Sequence, residues 1–228
     1  MKKIIISILL INAVLQNNAQ DKPSFIAIKA GSSFPVGGFH AKSLSDGGYA
    51  TTGVNFSVEG AWFFKPKFGV GANIGLDSHP VDVVALANDK VSSDPFLQDL
   101  SIRSSPYNTI TAMAGLYTDI DIWRNLSFTA NLLGGVVYGM TPYQLYKPVY
   151  YLVTVNWYEI TSAGDYKPSF LAGAGFRYDL PSCIGFVLDS EFTYTKMNFD
   201  FVTTDGKIRT EHKVFSFINL TAGVVFKL

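Results

Sequence analysis

The constraint that most narrows what this chain can fold into is a strict period of two, clearest in its closing stretch, KVFSFINLTAGVVFKL from Lys213 to Leu228. From Ile218 the residues Ile218, Leu220, Ala222, Val224, Phe226 and Leu228 are apolar or small. Asn219, Thr221, Gly223 and Lys227 stand between them, with Val225 the exception. Alternation of that kind puts one set of side chains on each face of a strand and is incompatible with a helical stripe.

The same alternation recurs along the chain. Phe25–Phe34 sets Ile26, Ile28 and Ala30 against Lys29 and Gly31. Thr52–Phe64 sets Val54, Phe56, Val58, Gly60 and Trp62 against Asn55, Ser57 and Glu59. Phe68–Asp77 follows after a Lys65-Pro66-Lys67 turn, where the proline cannot donate to a ladder. Tyr107–Ile120, Leu126–Met140, Ser169–Tyr178 and Ile184–Met197 continue the pattern, for eight strands in all. Their connections alternate. Long ones span residues 35–51, 78–106, 141–168 and 198–212, and short ones 65–67, 121–125 and 179–183. A short helix is expected near Val81–Asn88. The aromatic segment Val149–Ile160 is expected to form a β-extension of the rim rather than a ninth spanning strand, since an odd strand would invert every later turn.

Charge decides which face is outward. Charged residues make up 16 % of the chain and aromatics 14 %, against roughly 25 % charged in a typical soluble domain. Glu59, Asp77, Asp119, Arg177, Asp189 and Glu191 all fall on the less apolar faces, beside Gly, Ser, Thr and Asn. The expectation is an all-β, eight-stranded antiparallel up-and-down transmembrane β-barrel with its apolar faces toward lipid. A soluble secreted barrel with an apolar pocket is the opposing reading, and it leaves those faces too little core to cover them. The lumen of eight strands is only wide enough for side chains, so a charge network of Lys29, Glu59, Arg177, Asp189 and Glu191 is expected there. Trp62, Phe64, Phe68, Trp123, Phe176, Tyr178 and Phe226 are expected as one aromatic girdle and Tyr107, Tyr138 and Tyr194 as the other.

The start of the chain reads as a signal peptide over residues 1–19. Met1-Lys2-Lys3 is basic, an apolar run reaches Leu15, and a small polar exit follows, with cleavage after Ala19 or Gln20. The barrel domain is then 20–228. Loss of Lys2 and Lys3 from 18 basic and 18 acidic residues leaves a net charge of −2, which gives nucleic acid nothing to bind. No cysteine follows the apolar run, so lipid anchoring is not expected, and the single Cys183 is expected to be structural.

Export signal, eight dyad-repeat strands and the closing GVVFKL together resemble the small outer-membrane barrel family common in Bacteroidota, similar in architecture to the OmpA and OmpX transmembrane barrels. The resemblance spans the whole mature chain and implies fold and an outer-membrane location. It carries no active site, and with the chain ending at Leu228 no OmpA-type peptidoglycan-binding domain is expected. Outer-membrane lipid and the barrel assembly machinery are the partners it implies, with Phe226 and Leu228 as the assembly signal.

No catalytic, cofactor or metal site is expected. Asp77-Ser78-His79 places a carboxylate, a hydroxyl and an imidazole together, but neighbours on a strand face opposite ways, and Ser78-His79 reads as the start of a loop. His40 and His212 read as solvated loop residues. A histidine and serine two apart on a late strand, as in lipid A deacylases, is missing, and Asp82, Asp89, Asp94 and Asp99 lack calcium-loop spacing. The third loop is the expected interaction surface, through Tyr143, Tyr146, Tyr150, Tyr151, Trp157 and Tyr158, with Tyr166 beside them. The expected function is therefore a non-enzymatic outer-membrane barrel whose extracellular loops serve envelope integrity, adhesion or partner binding. A narrow channel for small solutes is the alternative, and a lipid-modifying enzyme a weaker one.

Overall fold

In the computed structural model, residues 24–45, 47–151, 157–202 and 208–228 are described. The expected signal peptide lies outside them. Among the described residues eleven strands form, and eight of these make the wall: β1 (Phe25–Pro35), β2 (Gly53–Lys65), β3 (Phe68–His79), β5 (Tyr107–Trp123), β6 (Leu126–Met140), β9 (Gly164–Asp179), β10 (Ile184–Val202) and β11 (Ile208–Lys227). Every pairing between them is antiparallel, and the hydrogen-bonded order β1-β11-β10-β9-β6-β5-β3-β2 returns to β1, closing the barrel. The seam runs from Phe25↔Lys227 to Pro35↔Phe217, and it removes the open edge that either terminal strand would otherwise expose.

Alternation fixes the wall. On β1, Ala27 and Lys29 are buried while Ile26 and Ile28 are exposed, and on β2 Ser57 and Glu59 are buried while Phe56 and Val58 are exposed. A slip of one residue anywhere would turn the charges outward and the branched apolar residues inward, so register is set by composition.

The remaining strands, β4 (Leu97–Ser104), β7 (Gln144–Tyr150) and β8 (Tyr158–Ile160), form a separate three-stranded sheet in the order β4-β7-β8. An α-helix, α1 (Val83–Ser93), packs on it. Asp82 caps α1, accepting from the Ala85 N–H at 3.0 Å. Leu86, Leu97, Leu100, Ile102, Tyr146 and Tyr49 share a small apolar core between helix and sheet. This cap stands on the long-connection end of the barrel.

Several expectations change here. The helix lies at Val83–Ser93, slightly later than expected. Residues 97–104, read as loop, are strand β4. The expected β-extension exists, but its strands are Gln144–Tyr150 and Tyr158–Ile160, with residues 152–156 outside the described set. Residues 198–202 and 208–212, read as parts of a long loop, are strand, because β10 and β11 pair from Ile184↔Phe226 through Val202↔Ile208. The alternation continues there as Met197, Phe199 and Phe201 against Asn198 and Asp200. Tyr107 belongs to no girdle: it is buried in the lumen against Phe39 and Phe215, since its position on β5 shares the inward parity of Thr109 and Thr111. Tyr138 and Tyr166 do stack together outside, with ring centroids 4.5 Å apart. Cys183 is exposed in the short β9–β10 turn, where its carbonyl accepts the Lys227 N–H at 2.8 Å.

Candidate functional site: the filled lumen and the aromatic cap

The lumen is stacked in three tiers. At its centre Lys29, fully buried on β1, reaches three carboxylates from two other strands. Its Nζ lies 3.0 Å from Glu59, 2.9 Å from Asp189 and 2.8 Å from Glu191. The Asn131 amide donates to Glu191 at 3.3 Å, and the Tyr117 hydroxyl donates to Glu59 at 3.3 Å. A charge taken out of water is tolerated only when paired and hydrogen-bonded, and this ammonium is held on three sides. Glu59, Asp189 and Glu191 lie close enough to one another to grip a metal ion, but the Lys29 ammonium occupies the position such a cation would take.

Arg177 does not join that cluster, contrary to the expectation of one network. It sits a tier lower, paired with Asp119 at 2.5 Å and Asp179 at 3.3 Å, with its guanidinium over the Phe25 ring at 5.3 Å. Phe25, Phe63 and Tyr117 close the barrel around it. The cavity left between these groups measures about 10 Å³, on the order of the space one water requires.

Above the central tier, Asp77 accepts from the Asn55 amide at 2.7 Å and the Thr109 hydroxyl at 3.2 Å. His79 is not in a loop. It is the last residue of β3, fully buried, with its Nε2 2.8 Å from the Ser33 hydroxyl. Over it lies a plug of rings. A 3-10 turn at Gly37–Phe39, where Gly37 takes φ +56°, swings Phe39 into the barrel mouth. There it stacks on Phe215 at 4.5 Å and meets His79, Tyr107 and Phe217 edge-on or tilted. Met197, Phe199 and Val137 complete the plug. Sequence reasoning missed these inward aromatics. Their signal was parity: Phe25 shares a face with Lys29, Phe63 with Glu59, and Phe217 with Asn219.

Outside, the barrel is the inverse of a soluble protein. Val54, Phe56, Ile74, Leu76, Leu116, Leu132, Phe176, Phe186, Leu188 and Leu220 all stand exposed on its wall. Trp123, Phe68, Phe64, Tyr178 and Phe226 are exposed toward the short-turn end. Phe226 faces outward there, and Leu228 is tied down by its N–H donating to the Ser24 carbonyl at 2.8 Å.

The third-loop residues divide. Tyr146 is only 2 % exposed and belongs to the cap core, stacked on Tyr158 at 4.9 Å with Lys90 above its ring. It anchors the cap and offers nothing to a partner. Burial holds its hydroxyl well above the usual tyrosine range, as it does Tyr49, which also donates to Asp89 at 2.6 Å. Tyr150 is half-buried against the same core. Tyr151 at 65 %, Trp157 at 62 %, Tyr143 and Tyr158 are exposed, as is Phe96, whose carbonyl accepts the Tyr151 N–H at 3.2 Å. Tyr143 is steadied by its hydroxyl donating to Glu159.

No protein-family model matches the chain, and no curated protein does. Several solved structures are similar. Neisserial surface protein A from Neisseria is 10 % identical with a TM-score of 0.44, over 90 % of this chain and 97 % of that one. Ail, the attachment invasion locus protein of Yersinia pestis, is 17 % identical with a TM-score of 0.42, over 90 % and 99 %. A major outer membrane protein from Thermus thermophilus is 12 % identical with a TM-score of 0.49, over 90 % and 99 %.

Proposed function

We propose that this chain is a non-enzymatic outer-membrane barrel that carries an aromatic binding cap and conducts no solute. The observation that carries it is the inversion of the wall, with exposed branched and aromatic side chains outside and paired, hydrogen-bonded charges inside. Only hydrocarbon makes that distribution favourable, and only a closed ring satisfies every backbone group within hydrocarbon. The short turns then face the periplasm and the cap faces outward. Residues 1–19 serve as the export signal, and Phe226 and Leu228 as the stretch read by the assembly machinery. Affiliation with the Bacteroidota-type small barrels rests on the sequence pattern.

The filled lumen favours a closed barrel over the channel reading, because Phe39 and its neighbours block one end and Arg177 with Phe25 and Phe63 the other. Catalysis is disfavoured by position. Ser33 and His79 are fully buried beneath Phe39, and among the described residues no carboxylate orients the His79 Nδ1. The exposed Tyr151, Trp157, Phe96 and Tyr143 are the surface for adhesion or partner binding, in the manner of aromatic-rich interfaces.

Single-channel recording of the refolded chain tests the closed reading. Traces without stable openings are expected, and a persistent open state of appreciable conductance would overturn it. Membrane fractionation with heat-modifiable gel migration tests the location. A soluble protein with no shift on boiling would refute it.

A further inference from the structure

We infer that the junction of cap and wall is a binding site for a phosphate-bearing lipid of the outer leaflet, with Arg103 as its headgroup contact; this rests on the membrane reading above. A groove of about 530 Å³ lies where β4 overhangs the outer ends of β2 and β3. Its lining is apolar through Val54, Pro80, Val81 and Ile102, and also carries Thr52, Ser78 and Arg103. Val54 faces outward, paired with Ser78, on the same face as Phe56 and Leu76 below it. The groove is therefore the upward continuation of the surface along which acyl chains lie, and a chain running up that wall delivers its headgroup to Arg103.

The charge at that end is built by sheet register. Ser101 pairs with Lys147 and Arg103 with Leu145, so Arg103 and Lys147 are diagonal neighbours on one face of the cap sheet. Two acids share the face, and both are engaged: Asp99 accepts the Leu100 N–H at 2.8 Å, and Glu159, opposite Leu145, accepts the Tyr143 hydroxyl. Among the described residues Arg103 and Lys147 have no carboxylate partner. A guanidinium matches a phosphate in a bidentate fork and a nearby ammonium adds a point charge. The occupant this geometry fits has an anionic phosphate head above apolar chains. A protein segment would bring no such head, and a free phosphate would leave the apolar wall unused.

The test uses the full chain in nanodiscs of phosphatidylcholine doped with either phosphatidic acid or diacylglycerol, with retained lipid counted by native mass spectrometry. The wild type is expected to retain phosphatidic acid in preference to diacylglycerol. The R103Q/K147Q variant should lose that preference by about tenfold, and V54N should weaken retention of the same lipid. K65Q/R124Q, at the opposite end of the barrel, should leave it unchanged. Equal retention in wild type and R103Q/K147Q would overturn the inference, and so would loss caused equally by K65Q/R124Q. Displacement by inorganic phosphate would overturn the lipid assignment. Heat-modifiable migration of each variant separates the two readings: a normal shift without lipid preference sinks the groove alone, whereas a wild type that fails to insert sinks the membrane reading and the groove with it.

Discussion

The barrel and its cap are built from one chain by opposite rules. In the wall, Lys29, Glu59, Asp77 and Arg177 are buried while Leu116 and Ile74 are exposed. In the cap, Leu86, Leu97, Leu100 and Ile102 are buried while Lys147, Asp99 and Glu159 are exposed. Both obey the same accounting of transfer free energy, with the solvent exchanged. What separates them is thus the medium on the far side of each strand, and the wall's polar core depends on pairing where the cap's core depends on packing.

The comparison breaks first at Lys29. Lys29→Met leaves Glu59, Asp189 and Glu191 buried without their counter-ion, and a loss of about 3–5 kcal/mol is expected, read as the urea midpoint of the heat-modifiable band. A midpoint equal to wild type would show that the carboxylates are satisfied some other way. Next comes an arginine placed on each of the two surfaces. Leu116→Arg on the wall should cost about 2–4 kcal/mol in a bilayer. Val84→Arg, equally exposed on α1, should change stability by no more than about 0.5 kcal/mol. Equal costs would erase the distinction between the two surfaces.

A third change isolates the cap. Leu86→Ala should cost the cap about 2 kcal/mol, at the low end for a buried leucine because so small a core can close around the hole. Hydrogen exchange should rise in residues 83–104 and 144–150 while the barrel keeps its gel shift. If the barrel loosened as well, the two regions would be one cooperative unit.

The smallest effect belongs to Asp82. Asp82→Ala should fray α1 at a cost of about 1 kcal/mol. The Lys42 ammonium, 2.8 Å away, and the Ala85 N–H hold the Asp82 carboxyl below the usual carboxylate range. Its folded value is depressed, so its contribution is complete above the ordinary carboxylate range and is lost as the pH falls below it. Acid titration of α1 exchange should show that loss in the wild type and not in the variant.

These two rules also explain what the sequence disclosed. The wall was legible because alternation, short turns and the parity of charges all agree. Lys29, Glu59, Asp189 and Glu191 could be placed together from parity alone. Which acids Arg177 would meet depended on tier height, which parity does not encode. The cap was illegible for a physical reason. Its strand β4 is bulged between Leu97 and Asp99, and Pro148 interrupts β7, so neither shows clean alternation. Tyr146 looked like a surface residue because the core that buries it is assembled from α1 and β4, far away in sequence.

The central ammonium also bears on how the molecule is made. Lys29 is on the first strand, Glu59 on its neighbour, and Asp189 and Glu191 on the tenth, reached only across the β1–β11 ladder. An intermediate in which that ladder is unzipped holds two acids without their cation and a cation with one acid. Such a species lacks the ammonium's contacts to both acids of the tenth strand, so completion of the last ladder and assembly of the central ion cluster become one event. Closure in any other register would leave Asp189 and Glu191 away from Lys29, so the cluster is the mark of a barrel shut in its proper register.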